Sequence, residues 1–151
     1  METTYDITLI KQHPYLAAYN GEVLGPLAEA PRIESETKVY DSMIYENGGN
    51  EEVSKRIVRN SARITIHTKN IDKALSMISE FANGTDIANS DRRKALSFTP
   101  ITEGENEKVL TFPAAVLLPD LEYVPTMGGD HVARLTFVAY PGSDGKLFTY
   151  L

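Results

Sequence analysis

The chain of 151 residues contains no cysteine. That excludes a disulfide framework, a thiolate metal site and a cysteine nucleophile, and it fits a reducing compartment. Positive charge is in the minority, with 15 Lys and Arg against 21 Asp and Glu, which disfavours a broad nucleic-acid footprint built on excess basic charge. Long apolar runs are missing as well. No window approaches the roughly 18 apolar residues of a membrane span. The opening "METTYDITLI" has neither the basic start nor the apolar stretch of a signal peptide. These absences predict a protein made in the cytoplasm, without a membrane partner.

Groupings that carry catalysis are equally sparse. His13, His67 and His131 are scattered, with no carboxylate or second histidine at ligand spacing, which favours surface or half-buried imidazoles over a metal site. The glycine pairs at 48–49 and 128–129 lie in loops, not in the spaced pattern that cradles phosphate, and no G-x-S-x-G occurs. No catalytic residue, metal ligand or cofactor is assigned, and the chain is expected not to be an enzyme.

What is present suits one domain over residues 1–151, since 42% hydrophobic content is enough for a core at this length. Near the amino end the dipeptide Asn20-Gly21 signals a hairpin turn between two apolar runs. Ile33, Ser35, Thr37 and Val39 then alternate with Glu34, Glu36, Lys38 and Tyr40, a strand with one weakly apolar face. The polar "YENGGNEEVSK" reads as a surface loop or the tip of a long hairpin protruding around 41–60. Its return strand is "SKRIVRNSARITIHT". The later part has an apolar face, whereas "KRIVR" is basic on both faces and is expected to leave the core and contact something else.

One helix is expected over about residues 70–83. Asn70 caps it, Ile71, Ala74, Leu75, Ile78 and Phe81 or Ala82 form its stripe, and Asn83-Gly84 stops it. Residues 94–100 and 107–118 read as strands around "TEGENE". Pro113 and Pro119 require the second of these to be interrupted, bulged or at an edge. "LEYVPTMGGD" reads as a connection, and 131–140 with 146–151 as a closing hairpin. The fold class is therefore mainly β, an antiparallel sandwich or barrel with one flanking α-helix.

Charged clusters stand out on the loops. Glu103, Glu105 and Glu107 lie in "TEGENE", and Glu46, Glu51 and Glu52 flank the Gly-Gly pair. Opposite in sign are Lys55, Arg56 and Arg59, then Arg92, Arg93 and Lys94. Each cluster alone reads as a solvated face. On separate loops, opposite charges also suit head-to-tail contacts between identical subunits.

The order of elements carries a resemblance. "GPLAEAPRIESETKVY" followed by a polar excursion over 41–56, "ARITIHT" running into "KNIDKALSMISEFANG", and "DHVARLTFVAYPGSDGKLFTYL" at the end resemble the tail tube proteins of bacteriophages and tail-like particles, from about residue 23 to 151. Tail terminator and completion proteins share related folds and sizes. The resemblance implies a β-sandwich that self-assembles into stacked hexameric rings around a channel, through which DNA passes without specific binding. It implies other tail proteins as partners, no cofactor, and a place in the virion tail after synthesis in the bacterial host. Asn47, Gly48, Gly49, Glu51, Glu52, Lys55, Arg56 and Arg59 would then lie in the hairpin that reaches an adjoining subunit. Phe148 and Tyr150 would lie in a strand held by this domain or by the next subunit. The charge pattern adds Arg92 and Arg93 to the interface candidates, and Glu103, Glu105 and Glu107 as acidic groups facing the lumen. A reading from another class is a β-sandwich binding module that stacks a peptide, sugar or small ligand on Tyr40, Tyr45, Tyr123 and Tyr140.

Overall fold

The computed structural model describes residues 14–46, 49–101 and 108–151, with the backbone alone over 40–46 and 49–55. The strands are β1 (Tyr15–Tyr19), β2 (Glu22–Val23), β3 (Arg32–Glu46), β4 (Gly49–Thr68), β5 (Lys94–Pro100), β6 (Leu110–Val124), β7 (Val132–Tyr140) and β8 (Thr149–Tyr150). Helix α1 (Ile71–Ser79) follows β4, and a 3-10 turn over Ser90–Arg92 precedes β5. All pairings are antiparallel, in the order β2-β1-β5-β6-β7-β4-β3, with β8 also on β6. The expected class holds: mainly antiparallel β with one flanking α-helix. Among the described residues the strand path is open, ending at β2 and β3, and does not close into a barrel.

Local chemistry explains the elements. Asn20 (φ 53°) and Gly21 (φ 80°) both take positive φ, as a two-residue turn between β1 and β2 requires. Along β4, Ala62, Ile64, Ile66 and Thr68 are buried at every second position, and β7 answers with Ala133, Leu135, Phe137 and Ala139. Together with Leu24, Leu96 and Phe112 these side chains form the core. Each large apolar group withdrawn from water contributes roughly 1.5–3 kcal/mol. Thr68, buried among them, shares its hydroxyl proton with the carbonyls of Leu24 and Pro26 and accepts from the Asn70 N–H at 3.0 Å. The end of β4 is thereby tied both to the segment after β2 and to the start of the helix.

Helix α1 begins where expected, the Asn70 side chain accepting from the Lys73 N–H at 3.4 Å. Ala74 and Ile78 are buried, and the helix packs on β6 and β7. It stops at Ser79 rather than 83. Beyond it the Thr85 hydroxyl takes the Ala82 N–H at 3.2 Å, a local bond that competes with another helical turn, and Gly84 (φ 89°) turns the chain away.

Strand β6 corrects two expectations and bears out a third. It runs to Val124, through Pro119 and through the first four residues of the segment read as a connection. Both prolines sit in bulges. Between the pairs Leu96↔Phe112 and Lys94↔Ala115, one β5 residue faces Pro113 and Ala114. Between Leu118↔Thr136 and Glu122↔Arg134, residues 119–121 face Leu135 alone. An extra residue in a bulge needs no ladder donor, so a central strand accommodates both rings. The closing hairpin does not form. Ala139 of β7 already pairs with Ala62 on one side and Ala115 on the other, leaving no edge for β8. β8 crosses instead to β6, whose Leu110 and Thr111 have β5 on the opposite edge.

Candidate assembly interface

Strand β7 covers β4 only over residues 62–68. Among the described residues, 49–61 of β4 pair with β3 alone, so this part of the sheet is a two-stranded ribbon. At about 3.3 Å per residue it is roughly 40 Å long. A two-stranded ribbon buries too little to be stable on its own in water. Thr37 and Asn60, paired across it, share a hydrogen bond of 3.1 Å between their side chains. Register shifts between Lys38 and Val39 and between Ser42 and Met43 leave Val58 and Val53 as extra residues on β4. At the first bulge Ile57 is 69% exposed and Val58 is 64% exposed, flanked by exposed Arg56 and Arg59. Ile57 and Val58, with Tyr140 and Pro141, line an open groove of about 530 Å³ where the ribbon leaves β7.

The last strand is held within this chain. Val109 and Leu151 exchange backbone hydrogen bonds of 2.7 and 3.2 Å, and Leu147 is buried. The Phe148 ring lies 5.9 Å from that of Phe112, with the residue still 49% exposed, and Tyr150 is 39% exposed.

Two cationic side chains rest on rings of their own chain. The Arg92 guanidinium lies 4.7 Å over Phe81, and that of Arg93 lies 4.6 Å over Tyr140. The Tyr19 hydroxyl makes hydrogen bonds to the carbonyls of Ala115 (2.9 Å) and Arg92 (3.1 Å), and burial pushes its phenol up. At the other end of β4, Lys69 bonds Asp130 at 2.9 Å and holds that carboxyl below the usual range. Among the described residues, no group of three or more His, Cys, Asp and Glu is placed to hold a metal ion.

No protein-family model matches the chain, and no curated protein matches its sequence. Solved structures do match. A chain of the sheath-tube complex of an extracellular contractile injection system, PVC, in the extended state aligns over 99% of both chains, with a TM-score of 0.58 and 10% identity. A chain from the tail of an empty gene transfer agent particle, of C6 symmetry, aligns over 86% of this chain and 85% of its own, with a TM-score of 0.51 and 16% identity. The tube-terminating cap of the anti-feeding prophage aligns over 100% and 94%, with a TM-score of 0.52 and 13% identity. The chain has the fold of tail tube and tube-capping proteins.

On that tail tube fold the candidate residues separate into three places. Gly49, Glu51, Glu52, Lys55, Arg56 and Arg59 lie along the β3–β4 ribbon, Arg92 and Arg93 at the turn before β5, and Phe148 and Tyr150 on β6 beside the core. Asn47, Gly48, Glu103, Glu105 and Glu107 lie outside the described residues. Of the four tyrosines considered for ligand stacking, Tyr123 is bonded to His131 at 2.5 Å and Tyr140 lies under Arg93; the side chains of Tyr40 and Tyr45 are not described. Sequence reasoning missed the apolar groove beside the basic residues. Its signal was the pair Ile57 and Val58 inside "KRIVR", two apolar neighbours that alternation cannot bury on one face.

Proposed function

We propose that the chain is a structural subunit of a phage-like tail, one domain over residues 1–151, that self-assembles into stacked hexameric rings forming a tube for DNA passage. The observation that carries this is the shared fold over nearly the full length of chains from tail and tube assemblies. The β3–β4 ribbon supports it physically. A ribbon some 40 Å long with no third strand alongside it among the described residues gains stability when a neighbour covers it. Gly49, Glu51, Glu52, Lys55, Arg56 and Arg59 would meet that neighbour, with Arg92, Arg93, Phe148 and Tyr150 at further contacts. Glu103, Glu105 and Glu107 would add negative charge to a lumen that repels phosphates, in keeping with the net charge of −6. The role involves no catalysis and no cofactor. Its place is the virion tail, alongside other tail proteins, after synthesis in the host.

Likeness to a tube-terminating cap favours a second reading, a terminator that closes the tube. Negative-stain electron microscopy of the purified chain over a range of concentration separates the two. Long tubes support the tube subunit, and single rings that never stack support the terminator. A particle that stays monomeric at every concentration and salt rejects both.

A further inference from the structure

The two ends of the β4–β7 pair carry an exposed apolar turn and an open groove that one copy cannot bring together. At one end the turn between β6 and β7 presents Met127 fully to solvent, with Val124 and Leu121 exposed behind it. This turn is braced. The Thr126 carbonyl is 3.0 Å from His131 Nε2, the Thr126 hydroxyl donates to the Asp130 carbonyl at 3.1 Å, and Lys69 ties down the Asp130 carboxylate at 2.9 Å. Gly128, at φ 79°, supplies a conformation that L side chains rarely adopt. A turn whose backbone is already fixed loses little further backbone freedom when its exposed side chain docks.

At the other end lies the groove lined by Ile57, Val58, Tyr140 and Pro141. Residues 58 and 68 of β4 are ten positions apart, about 33 Å along the strand, and the turn lies beyond the far end of that span. Charge matches as well. Residues 119–130 hold three acids, Asp120, Glu122 and Asp130, and no base, whereas residues 55–59 hold three bases, against one acid, Glu36, in the groove lining. Glu122 and Asp130 pair with Arg134 and Lys69, which leaves exposed Asp120 as the carboxylate of this segment with no ion pair among the described residues.

We infer that the Met127 turn of one copy seats in the Ile57–Tyr140 groove of the next. This rests on the reading that the chain assembles with copies of itself and goes further by naming the two surfaces. A flexible thioether suits an irregular groove walled by a tyrosine ring. Knob and groove stand at opposite ends of the same strands, so copies arranged head-to-tail repeat the contact into a ring or filament, whereas an antiparallel two-fold pair satisfies both contacts and stops at a dimer. The stacked assembly proposed above takes the first arrangement.

The absence of native cysteine permits a direct test. The full chain carrying both Met127→Cys and Val58→Cys is oxidised mildly under the conditions that give particles by microscopy, then run on a non-reducing gel. Both positions are exposed, so the fold tolerates the changes, and they are too far apart to bridge within one copy. The expected result is a ladder of trimers and higher species that collapses on reduction. Met127→Cys paired with Ile101→Cys, another exposed position off the groove, gives no such ladder. Particles whose ladder is no stronger than this control overturn the inference and leave self-assembly standing; absence of particles from the wild-type chain overturns self-assembly itself. Met127→Asp should melt like the wild type and need at least tenfold more protein to assemble, with Met127→Leu restoring assembly. Unchanged assembly by Met127→Asp also overturns the inference.

Discussion

Residues 62–68 and 49–61 belong to one strand, and β3 runs along both as far as Thr65, yet their surroundings are opposite. Over 62–68 a second neighbour, β7, lies alongside, and every other side chain enters the core. Over 49–61 β3 is the one neighbour among the described residues, and the described apolar side chains Ile57 and Val58 stay in water. Pairing alone therefore does not make this strand part of the core; lateral cover does. The covered part carries the stability of the isolated subunit, and the ribbon is free to be specified by what it meets outside.

The strongest way to break this comparison is to truncate one side chain in each part. Ile64→Ala should cost about 2–5 kcal/mol, because a fully buried side chain leaves a cavity that the sheet cannot close. Val58→Ala should stay within about 0.5 kcal/mol. Urea denaturation of the unassembled protein measures both. A loss at Val58 that matches Ile64 would mean that the ribbon is already packed in the monomer.

Deleting residues 148–151 sharpens the comparison at the other exposed margin. It removes the two backbone bonds between Val109 and Leu151, the pairing of β8 and the contact of Phe148 with Phe112. Hydrogen bonds of about 1 kcal/mol each plus partial apolar burial put the cost at roughly 3 kcal/mol, visible as a lower midpoint in the same titration. An unchanged midpoint would show that the last strand contributes nothing to the subunit.

How far the sequence reveals this architecture depends on whether a feature is local. The Asn20-Gly21 turn, the Asn70 cap and the alternation of residues 62–68 are short-range patterns, and each is found where the pattern puts it. The two prolines of β6 implied a bulge, an interruption or an edge, and the bulges are there. The closing hairpin was not legible. The turn chemistry of "PGSDG" is the same whether the chain returns along β7 or crosses to β6, and only the occupied edges of β7 decide between them. The ribbon was legible as basic and outward-going, but the groove at its base needs Tyr140 and Pro141, some eighty residues downstream.

Charge reversal at Lys55, Arg56 and Arg59 to Glu separates stability from assembly within the ribbon. Exposed charges contribute little to folding, so the monomer should melt within about 0.5 kcal/mol of the wild type. Assembly should fail or need much higher concentration, because three reversed charges now face an acidic neighbour. Sedimentation of the triple variant at low and high salt checks this. Tubes that form normally would remove the ribbon from the interface.

The smallest expected effect is at the opposite end of the same strands, where Lys69 follows β4 and holds Asp130 beside the Met127 turn. The Lys69 hydrogen bond and charge favour the ionised carboxyl, so the folded protein keeps Asp130 deprotonated at lower pH than the unfolded chain does. A depressed carboxyl contributes its stability above the unfolded value and loses it as pH falls through the folded one. Asp130→Asn should therefore melt slightly below the wild type at pH 7, and the two should converge as pH falls below the ordinary Asp range. Because the pair is exposed, high salt should also narrow the gap. A difference that grows in acid would contradict the ion pair, and with it one of the braces that hold Met127 out for the next copy.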